Sequence, residues 1–241
     1  MENLFLDAFF ENVPWRFKKT DVKQVEKESV EIPEIFLKQF PEMSGLLMVT
    51  NKFRIELNDK TIYNLYGWDS ENGACGWLCE PPKAGEDSLR PESCKLVRSV
   101  FGNILETFGF EDIRDDFLCN MNWVIGTDEV QCGIGEWADY YEQSCLAENK
   151  RSQLEAPTDC NKNPDINPRD YIVIAEEANG NLTLCHKTTE QVLLFAPDHC
   201  FDYVSVYDGC PEYTFYTING VKTVKDYFEM VAKQWGRYVE I

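Results

Sequence analysis

Residues 171–196 read YIVIAEEANGNLTLCHKTTEQVLLFA, and residues 213–236 read YTFYTINGVKTVKDYFEMVAKQWG. Tyr171 to Ala175 is a β-branched run, Asn179-Gly180 is the favoured two-residue hairpin turn, and Asn181 to His186 is its return strand. Gln191 to Ala196, Tyr203 to Tyr207 and Tyr213 to Ile218 continue as strands, and Asn219-Gly220 turns the chain into a terminal helix. Thr223 with Asp226 three residues later forms a capping-box pattern. Val224, Tyr227, Phe228, Val231 and Trp235 then make one apolar stripe that ends at Gly236. Consecutive strands joined by tight turns imply a mainly antiparallel sheet, and an amphipathic helix must cover one of its faces. The class expected is α+β, with Val173, Leu184, Leu193, Val204, Phe215, Phe228 and Trp235 buried.

Working back toward the start, the periods predict a short helix over Leu4 to Phe10 and a second after a cap at Thr20, ending near Ser29. Pro33 suits a first helical position, and Ile32, Phe36, Leu37 and Phe40 recur at helical spacing until a turn at Ser44-Gly45. LLMVT (46–50), KFRIEL (52–57) and Thr61 to Tyr66 read as strands with a turn at Asn58-Asp59. Gly67 to Arg90, rich in Gly, Pro and acids, reads as a long loop carrying two tryptophans. Ser93 is placed to cap a helix through Leu96, Val97, Val100, Ile104, Leu105 and Phe108, stopped by Gly109. A further helix follows Gly135 on Trp137, Tyr140, Tyr141 and Cys145, and Glu155 to Asp170 reads as a linker. The whole, 1–241, is expected to be a single domain. Its antiparallel sheet would be covered on one face by N- and C-terminal helices, with a large helical and loop elaboration at about 67–165.

The 241 residues carry 23 Lys and Arg against 42 Asp and Glu, a formal charge of −19. Such acidity disfavours nucleic acid, whose binding depends on Lys and Arg releasing counterions from phosphates, and it disfavours an anionic membrane surface. With 44% apolar residues there is ample material for a core. The opening MENLFLDAFFENVPW has no basic region ahead of an apolar one, and no stretch approaches the roughly 20 apolar residues that span a bilayer. A cytoplasmic location is therefore expected, in which the ten cysteines stay reduced.

Order and residues together resemble the SUKH superfamily, which includes a yeast cell-wall synthesis regulator and many bacterial immunity proteins. Ile32-Pro33 with Phe36-Leu37 is similar to that family's helical opening, and Ser44-Gly45 falls at its turn. Tyr171 to Ala175, Asn179-Gly180-Asn181, Gln191-Val192 and the helix with Val224, Tyr227 and Phe228 resemble its strand, hairpin, strand and closing helix. The stretch from Gly67 to Asp165 departs from the compact family pattern. The resemblance implies a non-catalytic protein that binds another protein, above all an immunity protein that neutralises a cognate toxin. Nuclease toxins are basic, so a chain at −19 could be steered onto one electrostatically. The alternatives are a regulatory scaffold of the same fold with no toxin partner and, from another class, an enzyme using a thiol or carboxylates.

The residues give that last class little. Three residues separate Cys75 from Cys79 where C-x-x-C has two, and Cys185-His186 and His199-Cys200 are sequence neighbours that a strand would point to opposite faces. No metal, cofactor or catalytic residue is expected, and Cys119, Cys145 and Cys185 read as small buried hydrophobes. Gly133-Ile134-Gly135 lacks the third glycine of a dinucleotide loop, and Asp115-Asp116 and Glu176-Glu177 read as solvated faces. Trp68, Asp69, Trp77 and Glu80, with Trp123 and Trp137 in the elaboration, are the candidate partner-binding residues, since interface hot spots favour tryptophan and the acids could meet Lys or Arg. The competing reading is that the tryptophans cover the core.

Overall fold

A computed structural model describes residues 4–71, 73–82, 90–109, 124–125, 166–167, 170–176, 181–196, 203–210, 212 and 214–239. The helices among them are α1 (Leu4–Asn12), α2 (Glu34–Gln39), α3 (Pro41–Met48), α4 (Glu92–Phe101) and α5 (Val224–Gly236). The strands of the first half are β1 (Val22–Glu28), β2 (Asn51–Leu57), β3 (Ile62–Ser70), β4 (Gly73–Glu80) and β5 (Asn103–Phe108). After the two-residue β6 (Val124–Ile125) come β7 (Tyr171–Glu176), β8 (Leu182–His186), β9 (Val192–Phe195), β10 (Val204–Val206) and β11 (Phe215–Ile218). They form one sheet in chain order except that β11 lies between β9 and β10, and every pairing is antiparallel. The α+β class follows as the strand periods predict.

The helices do not all lie on one face. Helices α2 to α5 cover one side, where Phe36, Phe40, Trp77, Phe101, Ile174, Leu194 and Trp235 share a single apolar core that runs across both halves of the sheet. Helix α1 lies on the other side of β2 to β5, where Phe5, Leu6 and Phe9 pack on Ile55, Leu65, Leu78 and Phe108. A third cluster, with Val173, Leu184, Leu193 and Phe215, occupies that second side beneath the later strands. A β-bulge explains how β5 serves both faces. Cys79 pairs with Ile104 and Leu78 with Glu106, so Leu105 is the extra residue, and the alternation of inward and outward side chains is reversed after it.

Four local readings are corrected. The segment after Thr20 is strand β1, not helix: Val22 and Val25 mimic a helical interval, but pairing with β2 decides the conformation. Ser44-Gly45 is no turn. Pro41 begins a second helix that carries on through Gly45 and buries Leu46 and Leu47. The helix from Glu92 stops at Gly102, whose φ is +72°, and Ile104 to Phe108 belong to a strand although their spacing continues the helical stripe.

The supposed loop from Gly67 is in fact a hairpin, β3 and β4, in which Gly73, with φ at +110°, serves the turn while Gly67 and Gly76 serve contact. Gly67 and Gly76 are cross-strand partners. A Cβ on Gly67 would lie 2.6 Å from the Phe5 ring, and one on Gly76 would lie 2.4 Å from the Tyr66 carbonyl oxygen and 2.7 Å from the Phe108 ring.

The final helix matches its sequence signature. Thr223 N–H donates to the Asp226 carboxylate (2.9 Å) and Asp226 N–H to the Thr223 hydroxyl (3.4 Å), closing the capping box. All five stripe residues are buried, as are six of the seven expected core residues. Val204 is half-buried because β10 is an edge strand. The Asn179-Gly180 turn, the helix after Gly135 and the 155–165 part of the linker lie outside the described residues.

Candidate functional site

Trp68 on β3 and Trp77 on β4 project from the same face of the hairpin, two positions apart across the register, and Trp235 descends on them from α5. The three rings form a triangle with centroids 5.1, 5.6 and 4.9 Å apart, tilted or edge-on, as aromatic quadrupoles prefer. Trp68 Nε1–H donates to the Leu46 carbonyl at the end of α3 (2.8 Å). Trp77 Nε1–H meets no acceptor among the described residues and lies within the aromatic cluster. Both tryptophans are essentially inaccessible, at 1% and 0% exposure, so neither can anchor a partner. The reading that they cover the core holds because the segment carrying them is sheet, with alternate residues turned inward.

Asp69 is exposed and Glu80 half-buried. They sit near opposite ends of the hairpin, about 20 Å apart along β4 at strand rise, and do not converge. Trp123 and Trp137 lie outside the described residues.

The sequence reading passed over Trp15. It follows α1 in Pro14-Trp15-Arg16 and is 60% exposed, with Nε1–H 3.4 Å from a carboxylate oxygen of Glu106. Arg16 approaches the same oxygen at 3.7 Å. Burial pushes the Glu106 carboxyl above its usual range, against the Arg16 charge and the Trp15 hydrogen bond. Burial of Glu106 depends on the β5 bulge, which local periodicity does not reveal.

An open groove of about 630 Å³ lies on the helical side of β1 to β3. Lys52, Asn64 and Tyr66 line it from the sheet, and the segment Glu28 to Pro33 and the end of α4 wall it. Lys52 Nζ binds the Glu28 carboxylate at 2.9 Å, Arg54 approaches Glu26 at 3.9 Å and Glu56 at 3.5 Å, and the Tyr66 hydroxyl donates to the Val100 carbonyl at 3.1 Å. Three separate chain segments meet here, so no short motif announces the groove. An enclosed cavity of about 10 Å³ beside Arg90, Cys94 and Phe228 has room for at most one water molecule.

Cys75, Cys79 and Cys185 are poor nucleophiles. Burial pushes Cys75 up to about 12, with the Asp69 charge adding to it, and burial also pushes Cys79 well above the usual thiol value. Cys185 is raised by its hydrogen-bonding contact with Cys94 and then by burial. His186 follows Cys185 along β8 and so turns to the opposite face, and its Nδ1 accepts the amides of Thr188 and Thr189, both at 3.1 Å, closing the turn after β8. Among the described residues no three His, Cys, Asp or Glu side chains are grouped to hold a metal ion, and no helix is long and apolar enough to cross a membrane.

The fold and surface define an acidic α+β domain built on an antiparallel sheet with helices on both sides. No family model matches the chain, and neither a curated protein nor a solved structure does so.

Proposed function

We propose that the chain is a non-catalytic, protein-binding protein of SUKH type whose partner is a basic protein, an immunity protein neutralising a cognate toxin being the specific form. The observation that carries this reading is charge and its distribution. The chain stands at −19, and the stretch from Glu106 to Glu148 alone holds eleven acidic side chains and one basic one, Arg114. So uneven a distribution steers a positively charged macromolecule toward one part of the chain more than general solubility requires. Burial of Cys75, Cys79, Cys94 and Cys185, and the placing of His186 on the opposite face of β8 from Cys185, favour binding over thiol chemistry. Trp15 supplies an exposed aromatic of the kind that anchors interfaces.

The test is a stopped-flow association measurement with a basic toxin domain. A tight complex whose association rate falls at least tenfold from low to high salt supports the reading. A rate indifferent to salt removes the steering argument, and no complex with any such domain leaves the regulatory scaffold as the better reading.

A further inference from the structure

Among the described residues, strand β1 is one outer edge of the sheet and pairs with β2 alone. Its register shows which backbone groups are spare. Leu57 N–H donates to the Thr61 carbonyl across the β2–β3 hairpin, and Asn58 N–H donates the other way, to the Asp21 carbonyl. Backbone direction alternates along a strand, so Glu56, Arg54 and Lys52 direct their amides and carbonyls toward β1. Their partners Gln24, Glu26 and Glu28 are the β1 residues that complete this ladder. The amides and carbonyls of Val25 and Lys27 therefore point outward, away from the sheet. The opposite edge, β10, has only three residues.

Side chains along β1 sort by face. Gln24, Glu26 and Glu28 share the groove side with Lys52 and Arg54, whereas Val25 and Lys27 share the α1 side with Ile55 and Phe53. A second copy does not fit this edge. Lys23 is the bulged residue and its ammonium pairs with Glu56 on the groove side, which breaks the regular ladder that a full-length self-pairing of β1 needs, and the register centred on Glu26 sets that carboxylate against its own copy. Like charges directly opposite are destabilising. A different strand, with Lys or Arg at alternate positions, meets Glu26 and Glu28 across the new pair and has Glu31 beyond them on the groove wall.

We propose that the free edge of β1 is the docking edge for an extended segment of the basic partner, which adds to the sheet by main-chain hydrogen bonds to Val25 and Lys27 and sets alternate Lys or Arg side chains against Glu26 and Glu28. This rests on the basic-partner reading above and adds to it where and how the partner binds.

The probe is a fluorescein-labelled, acetylated octapeptide of alternating lysine and threonine, with alternating glutamate and threonine as its control. The wild-type chain binds the lysine peptide and not the glutamate peptide. Lys27→Ala keeps the outward amide and binds within about twofold, whereas Lys27→Pro removes that amide without touching the β2 ladder and weakens binding about tenfold. Hydrogen exchange of the wild type gives a second readout that needs no variant: the Val25 and Lys27 amides exchange fast in the free chain and are protected by the peptide. No binding of the lysine peptide, equal binding by the two variants, or no gain of protection overturns the docking edge. If the two variants bind a basic toxin domain equally and with the same salt dependence, the edge is wrong and the partner reading stands. If no basic protein binds, the partner reading falls by itself.

Discussion

Glu190 ties three elements together at a backbone cost, which makes it the most informative position for testing how the sheet and helices are joined. It lies in the tight connection between β8 and β9 with φ at +59°, a left-handed conformation that side chains with a Cβ disfavour. Its carboxylate accepts from Ser93 N–H at 3.3 Å and the Ser93 hydroxyl at 2.7 Å, capping the start of α4. Its carbonyl accepts from Val224 N–H at 2.9 Å, where α5 begins. Glu190→Ala loses the cap and keeps the strain, a cost of about 2 kcal/mol for a charge-assisted helix cap. Glu190→Gly loses the same cap but relieves about 1 kcal/mol of strain, so it costs about half as much. For a chain of this size the melting temperature falls by about 6 °C for the alanine variant and about 3 °C for the glycine variant. Urea unfolding followed by tryptophan fluorescence gives the free energies, and Ser93→Ala in both backgrounds completes a double-mutant cycle with a coupling of about 1 kcal/mol or more. A glycine variant no more stable than the alanine variant would refute the strain argument. Strict additivity with Ser93→Ala would refute the cap.

Gly76→Ala should cost about 2–3 kcal/mol through overpacking against the Tyr66 carbonyl and Phe108, whereas Gly45→Ala, with nothing within 4 Å of the added methyl, should stabilise α3 by up to about 1 kcal/mol, both read by thermal unfolding. Burial is the largest influence on Asp226 and raises its carboxyl, but the Thr223 and Lys222 hydrogen bonds and the Lys225 charge outweigh it and hold the group below the usual carboxylate range. Its contribution to stability is therefore complete above the unfolded value of about 4 and is lost as pH falls through the lower folded value. The stability gap between wild type and Asp226→Asn at pH 7 should accordingly narrow as pH falls below about 4 and close once the pH is under the folded value. Mass spectrometry after brief native alkylation with iodoacetamide should find Cys75, Cys79, Cys94 and Cys185 unmodified, and alkylation in urea should modify all four.

What the sequence makes legible is whatever its nearest neighbours along the chain determine. The β7, β8, β9 and β11 strands and α5 were readable because tight turns, a capping box and a single-period stripe are local signals, and each has one physical explanation. The misread segments have two. Gly67 and Gly76 are compatible with a turn or with an aromatic ring pressed on the backbone, and only the arrival of Phe5 and Phe108 from distant positions decides between them. Val22 and Val25 fit a helix by spacing, and only β2, twenty-odd residues later, makes them strand. Ile104 and Phe108 continue a helical stripe that Gly102 ends by its close approach to the Glu80 carbonyl.

The same division governs the candidate binding surface. Counting tryptophans and acids located a segment rich in both, yet alternation along β3 and β4 sends Trp68 and Trp77 to the core and leaves Asp69 near the tip. Residues open to a partner are those that alternation or chain ends push outward: Trp15 in the turn after α1, and the acidic face of β1. An edge strand reads poorly from sequence for the physical reason that it is available. Half its side chains lack a packing partner, so they carry charges instead of the apolar alternation that identifies buried strands. In β1 those charges also disfavour pairing with its own copy, while Glu26 and Glu28 remain on one face for a strand of opposite charge. Selectivity of that kind needs both the repulsion and the attraction. Replacing Glu26 with threonine should therefore raise self-association while weakening binding of the lysine–threonine peptide, a pair of outcomes that sedimentation and fluorescence anisotropy read independently. A Glu26→Thr variant that stays monomeric at the highest soluble concentration would show that like-charge repulsion is not what keeps this edge unpaired.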